Sequence, residues 1–438
     1  MASEPRPTES VEQRSVPIDA GLVADCVHCG FCLPSCPTYL LWGEEMDSPR
    51  GRIHLMKQHL EGDPLDDAMV RHFDQCLGCM ACVTACPSGV QYDRLIEATR
   101  MHVEQQHERA PRDRAQRGLV FGVFPYPRRL RAMRPLLRAY QRSGAARLAR
   151  RSGILDRLPA TVAAMERLLP PVPREREPVA EVTPAAGSRR ARVGMLLGCV
   201  QREFFPSVNA ATVRVLSAEG CEVVAPAGQG CCGALSLHAG RAGEAVRFAK
   251  RTIAAFESLG VDAIVVNAAG CGSSMKEYAA VLAGEPGWNE RAERLSAKVR
   301  DVSELLVELG PVATRHPLPL TVAYHDACHL SHAQGVRSQP RQLLAGVPEL
   351  EVKEIAEADI CCGSAGVYNL FQPEAARNLG DRKARHVLAT GAEVLVTANP
   401  GCLLQIQAAA VRAGHELALA HTVQVLDASI RGVALSRL

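Results

Sequence analysis

The chain has 438 residues, 47% hydrophobic and 22% charged, with a formal net charge of +3. That length suits roughly two to four domains with packed cores, and so small a net charge supplies no global field for nucleic acid. Seventeen cysteines are the anomaly: an odd count pairs poorly in a disulfide scaffold, so metal or redox chemistry is the expectation.

Residues 1–20 are polar, carry no apolar stretch of a signal peptide, and read as a flexible N-terminus. No apolar run approaches the roughly 18 residues a transmembrane helix needs. A cytoplasmic protein is expected, peripheral at the inner face of the membrane only through a complex.

Residues 21–110 read as a two-cluster ferredoxin-type domain. Cys26, Cys29, Cys32 and Cys36 form C-x2-C-x2-C-x3-C followed by Pro37, and Cys76, Cys79, Cys82 and Cys86 repeat the pattern before Pro87. Three thiolates of such a loop turn toward one cubane while the fourth reaches the other. One [4Fe–4S] cluster is therefore expected on Cys26, Cys29, Cys32 and Cys86, and a second on Cys76, Cys79, Cys82 and Cys36. Zinc motifs usually present two cysteine pairs across a long gap instead. Gly30 and Gly78 sit inside the loops, where backbone must pass close to sulfide. Between the motifs, Ser48 as N-cap and Pro49 at the first helical position predict a helix start. Arg50 and Arg52 either approach the anionic clusters or form a solvated first turn.

Residues 111–190 read as a basic helical connector and linker without strand texture. Between Arg109 and Arg176 there are 17 arginines and four acidic residues. That run is either a solvated surface or a docking face for an acidic partner or anionic membrane; it lacks the aromatics of a nucleic-acid stripe.

From about Arg192 the texture changes. Strands are expected at Val193–Cys199, Cys221–Pro226 and Ala263–Asn267, and a helix at Ala242–Leu259. The order returns at Leu320–Tyr324 and Glu393–Thr397. Cys199 and Cys328 are 129 residues apart, Cys231 and Cys361 130, Cys271 and Cys402 131, which indicates an internal duplication. Two cysteine-rich α/β repeats follow, over 191–312 and 318–432, each with a parallel sheet. The fold class is α+β multidomain: a helix-rich ferredoxin domain followed by two tandem α/β repeats.

Functional groups in such sheets gather beyond the strand carboxyl ends. Cys199, Cys231, Cys232 and Cys271 in the first repeat, and Cys328, Cys361, Cys362 and Cys402 in the second, are candidates for an additional cluster or redox role. Cys221, with no counterpart, reads as a small buried hydrophobe. His325 and His329, flanking Cys328, are candidates for proton transfer, with His332 and His238 nearby. No G-x-G-x-x-G and no P-loop is present, so the chain shows no nucleotide or flavin pocket of known signature, and a partner subunit is expected to supply the primary electron donor. No residue of this chain is assigned a catalytic role.

Two ferredoxin motifs followed by two Cys-Cys-Gly repeats resemble the group that contains cysteine-rich subunits of heterodisulfide reductase and of anaerobic glycerol-3-phosphate dehydrogenase, together with the lactate-utilisation proteins. Within it the chain is similar to glycolate oxidase (glycolate dehydrogenase) iron–sulfur subunits. The stretches carrying this are Leu197-Gly198-Cys199-Val200-Gln201, Asn267-Ala268-Ala269-Gly270-Cys271-Gly272, Tyr324-His325-Asp326-Ala327-Cys328-His329-Leu330, Cys361-Cys362-Gly363-Ser364-Ala365-Gly366 and Ala398-Asn399-Pro400-Gly401-Cys402. The resemblance implies a complex with FAD-containing dehydrogenase subunits, which oxidise glycolate to glyoxylate. Electrons would pass through this chain's clusters to a quinone or other membrane acceptor. A lactate or glycerol-3-phosphate dehydrogenase subunit, a reductase acting at the repeats, and a zinc-stabilised interaction protein are the competing expectations. Ser274 and Gln405 stand where heterodisulfide reductase repeats end in a further cysteine, which argues against disulfide-reducing chemistry.

Overall fold

Helix starts follow local chemistry in the computed structural model, which describes residues 16–173 and 177–435. The Asp19 carboxylate caps α1 (Ala20–Ala24) by accepting from the Gly21 and Leu22 N–H groups. Directly after Cys36, α2 (Pro37–Trp42) opens on a proline. Ser48 and Pro49 begin α3 (Pro49–Leu60) as expected, the Ser48 hydroxyl accepting from Gly51 N–H at 3.0 Å. Proline fits there because a first-turn N–H has no helical partner. With α4 (Asp67–Asp74), α5 (Ala81–Ala85) and α6 (Tyr92–Gln106), these helices enclose a core of Met56, Phe73, Leu95 and Ile96.

Residues 1–15 of the expected flexible terminus lie outside the described residues. The part that is described is held: Ile18 is buried in the same core, and the His102 ring bonds the Val16 carbonyl.

Among the described residues, four α-helices form the connector: α7 (Pro111–Val123), α8 (Pro127–Arg142), α9 (Ala145–Arg151) and α10 (Ala160–Arg167). Two expectations need correcting here. The linker carries a short strand, β1 (Val182–Thr183), antiparallel to Cys221–Val224; two edge residues are too few to show a period. The arginine run is also much less free than its composition suggests. Arg131 and Arg134 clamp Glu203 at 2.8 and 3.3 Å, with the carboxylate 1% exposed. Arg109 and Arg117 share Asp74, Glu104 and Asp113. Several of these acids lie outside the run, so local charge counting does not show the pairing.

The first repeat contributes β2 (Ala191–Met195), β3 (Cys221–Val224), β4 (Ala263–Val266) and β5 (Val299–Asp301), in spatial order β1-β3-β2-β4-β5. The second contributes β6 (Leu320–Tyr324), β7 (Leu350–Glu354), β8 (Val394–Thr397) and β9 (Ala418–His421), in order β7-β6-β8-β9. Apart from β1, every pairing is parallel. The duplication is thus a duplication of topology. Expected strands β2, β3, β4, β6 and β8 are present; β5, β7 and β9 are additional.

The repeats pack reciprocally. Helix Pro206–Ala218 of the first lies on Thr422–Arg431 of the second, and Val302–Leu309 of the first lies on Ser338–Ala345 of the second. Each contact joins a helix lying between a repeat's first two strands to the last helix of the other. One core runs through both, including Val193, Val215, Val322 and Leu426, and Arg214 bonds Asp427 at 2.7 Å across the seam.

The Glu203 clamp yields a stability prediction. Glu203→Gln leaves the buried Arg134 guanidinium without its counter-charge and should cost about 3 kcal/mol, measured by denaturant unfolding. A loss below about 1 kcal/mol would place it with ordinary surface pairs.

Candidate metal centres

The two cysteine loops of the N-terminal region share a backbone form. His28 and Gly30 in the first, and Gly78 and Met80 in the second, take positive φ of 53°, 88°, 64° and 64°. The pairs stand fifty residues apart, so each loop needs two left-handed residues and supplies one glycine, at different positions. Non-glycine residues there carry strain. Cys36, Cys76, Cys79 and Cys82 line a single cavity with Thr38, Arg52 and Tyr92, so the last thiol of the first motif joins three of the second. Cys26, Cys32 and Cys86 are half-buried and Cys29 exposed. One site lies near the surface and the other is enclosed.

Arg52 is not a solvated first-turn residue. It is 1% exposed and donates to the His72 carbonyl at 2.7 Å, to the Thr38 hydroxyl at 3.2 Å and to Asp47 at 3.3 Å. Burial pushes the Cys76 thiol up, but the Arg52 and Arg100 guanidiniums, the Gly78 N–H and the Tyr92 hydroxyl outweigh it and hold Cys76 below the ordinary thiol range. Cys79 and Cys82, enclosed without such help, are pushed well above it, chiefly by desolvation. Coordination to a metal removes those protons outright. Four convergent thiols with cations beside them fit a [4Fe–4S] cluster, whose net charge is negative. Arg50 sits further out, bonding Glu45 at 2.6 Å and the His28 carbonyl at 3.0 Å.

In the repeats, the cysteines collect beyond the sheet carboxyl ends. Cys199, Cys231, Cys232 and Cys271 form a chain of neighbouring thiols. Cys328 lies 3.7 Å from Cys361, and Cys361, Cys362 and Cys402 continue the second chain. Cys271 and Cys328 are pushed well above the ordinary thiol range by the thiol each bonds and by burial. The glycine of each Cys-Cys-Gly is obligatory. Gly233 and Gly363 have φ of 91° and 88°, and a Cβ on Gly363 would lie 2.8 Å from the Ala376 carbonyl oxygen. Ser274 and Gln405 are buried, and Gln405 is committed to Ala376 O and Asn369. Cys221 is fully buried in β3, away from these sites.

The enclosed N-terminal site abuts the second repeat. Cys79, Cys328 and Cys361 share one apolar cluster with Leu77, Ala81 and Tyr368. His329 is bonded to the Gly78 carbonyl at 2.8 Å, and the Tyr368 hydroxyl donates to Gln75 O at 3.1 Å. The His329 and His238 rings lie 5.0 Å apart; burial lowers each to about 4, so both are neutral at pH 7. His332 bonds Thr84 at 2.8 Å. His325 is buried, and neither ring nitrogen has a hydrogen-bond partner among the described residues. Arg100, which reading the sequence missed, donates to the Cys76 and His238 carbonyls; a single arginine on a helix gives no local signal.

Comparison with known proteins identifies relatives over the same regions. Family models match for a 4Fe-4S dicluster domain over residues 22–90, the linker region of glycolate oxidase iron-sulfur subunits over 112–169, and the cysteine-rich domain over 193–276 and 322–407. The chain is 42% identical to the probable glycolate oxidase iron-sulfur subunit of Bacillus subtilis, over 91% of both chains. It is 36% identical to the glycolate oxidase iron-sulfur subunit of Escherichia coli, over 92% of this chain and 94% of the other. Lactate utilization protein A of an Exiguobacterium strain is 31% identical, over 55% of this chain and 98% of its own. A hypothetical protein from Helicobacter pylori shares the fold, with a TM-score of 0.55 at 9% identity, over 94% of this chain and 73% of that one.

Two substitutions check the enclosed site. Cys36→Ser should weaken the same reduced-cluster paramagnetic signal as Cys79→Ser, while Cys86→Ser affects the other; loss confined to each residue's own motif would refute the shared cavity as a ligand set. Arg52→Met removes a buried cation beside Cys76 and should lower that centre's potential by about 60 mV, a tenfold change for one electron. An unchanged potentiometric titration would make Arg52 purely structural.

Proposed function

Because the chain belongs to the family of glycolate oxidase iron–sulfur subunits, we propose that it relays electrons from FAD on partner subunits to a quinone or other membrane acceptor as glycolate becomes glyoxylate. Its own cysteines hold the carriers: Cys26, Cys29, Cys32 and Cys86 one cluster, Cys76, Cys79, Cys82 and Cys36 another, with the repeat cysteines holding further centres. Clusters of this type accept and release electrons singly, which splits the pair that a flavin receives as hydride.

The observation that carries this reading is continuity. From exposed Cys29, sites of decreasing exposure lead to enclosed Cys79, which shares an apolar cluster with Cys328 and Cys361. Arg52 and Arg100 offset the charge of the enclosed site, and the His329–Gly78 bond fixes its distance from the second repeat. No described helix is long and apolar enough to cross a membrane. The exposed Arg128 and Arg129 on α8 suit an acidic partner or an anionic surface.

The isolated chain should bind no FAD and oxidise neither glycolate nor lactate with a dye acceptor. In the assembled complex, Cys328→Ala should cut quinone reduction at least about tenfold, or about 1.4 kcal/mol. Single-turnover flavin reduction by substrate should be unchanged. Dehydrogenase activity in the isolated chain, or undiminished quinone turnover in the variant, would overturn the reading. Faster flavin reduction by lactate than by glycolate would move the complex to the other substrate.

A further inference from the structure

The two repeats differ at one backbone position that matters to the metal. β2 and β6 are related by 129 residues, and one residue beyond them stand Leu196 and His325. Both occupy the same place in the fold: the Leu196 N–H donates to Val265 O at 3.0 Å, and the His325 N–H donates to Val396 O at 2.9 Å. Leu196 lies in an apolar cluster with Cys232 and closes its site with methyl groups. His325 puts an imidazole in the corresponding place, 1% exposed. Its ligand nitrogen and the Cys362 and Cys402 sulfurs all lie within 4.8 Å of one another.

Neither nitrogen of that ring meets a hydrogen-bond partner among the described residues. A buried polar group left unsatisfied is costly, and an exception needs a cause. A proton carrier needs a hydrogen-bonded neighbour to receive from or give to, and this ring has none there. A metal ligand needs a lone pair aimed at the thiolates' centre, with other polar atoms kept away.

We infer that His325 is a metal ligand, so that the second repeat holds an iron–sulfur centre of mixed thiolate and imidazole ligation, with Cys362 and Cys402, while the first repeat is all-thiolate. This rests on the reading that the repeats hold clusters. The second repeat has four cysteines, so an imidazole in one ligand position leaves one of its thiols off the metal, and the centre is less negative and easier to reduce than an all-thiolate one. The second repeat, against Cys79, would then be the more oxidising of the two and the sink for electrons arriving from the enclosed ferredoxin site.

The test uses the full chain, purified anaerobically and poised through a redox titration. Pulsed paramagnetic resonance should show a strong ligand-type 14N coupling on one centre. Growth with 15N-histidine should convert it to the 15N pattern, and His325→Leu should abolish it, with that centre's potential falling. Leucine already occupies the equivalent position of the first repeat, and the labelled native chain needs no variant. Iron well above about eight atoms per chain with no histidine coupling would overturn the His325 assignment alone. A coupling surviving in His325→Leu would do the same. Iron at about eight, or stoichiometric zinc in the repeats, would overturn both it and the cluster reading beneath it.

Discussion

A thiolate buried without a counter-charge is prohibitively expensive, and much of the N-terminal architecture follows from meeting that condition at Cys76. Arg52 supplies one cation and must itself be held: Asp47 pairs with it and with His72, while Thr38 and the His72 carbonyl take its remaining donors. Those partners come from α2, the turn before α3, and α4. Arg100 supplies the other cation from α6 and reaches on to the His238 carbonyl in the first repeat. The demand of one sulfur thereby ties five segments together and docks the cluster-binding region on the repeats.

The seam beneath this site is polar in a restrained way. His329 is spent on the Gly78 carbonyl and His238 faces Glu97 at 3.1 Å. Burial keeps both rings uncharged, so neither adds a cation that would fluctuate near physiological pH. The fixed charges beside the sulfur are guanidiniums, which do not titrate. The seam's group that titrates near neutrality is Glu97, which burial and the neighbouring Asp93 push up to about 7.

The parts legible in the sequence were those with short-range chemical logic. Cysteine spacing exposed the dicluster region, offsets near 130 exposed the duplication, and Ser48–Pro49 marked a helix start. Runs of apolar residues located β2, β3, β4, β6 and β8 because these strands are buried. β7 escaped because it is an edge strand alternating charged residues, Leu350 to Glu354, with no fully buried position; β5 is three residues long. Arg52 looked as much like a solvated first turn as a buried counter-ion, since Thr38 and His72 are 14 and 20 residues away. The pairing of the arginine run is hidden for the same reason, Glu203 lying 72 residues from Arg131. The meeting of His238 with His329, or of Cys79 with Cys328, depends on how separate units dock, and no local pattern encodes it.

The reciprocal packing of the repeats has a consequence for their ancestry. A contact in which one patch of the first copy meets a second patch of the other, and the reverse also holds, is the isologous kind that a two-fold homodimer forms. Helices Pro206–Ala218 and Ser338–Ala345 play the same part in the two halves, as do Val302–Leu309 and Thr422–Arg431. A single-repeat forebear would have been a symmetric pair with two identical thiol sites, obliged to change both whenever it changed one. Fusion into one chain lifts that obligation: leucine stands at 196 and histidine at 325, and each half is free to change its site alone.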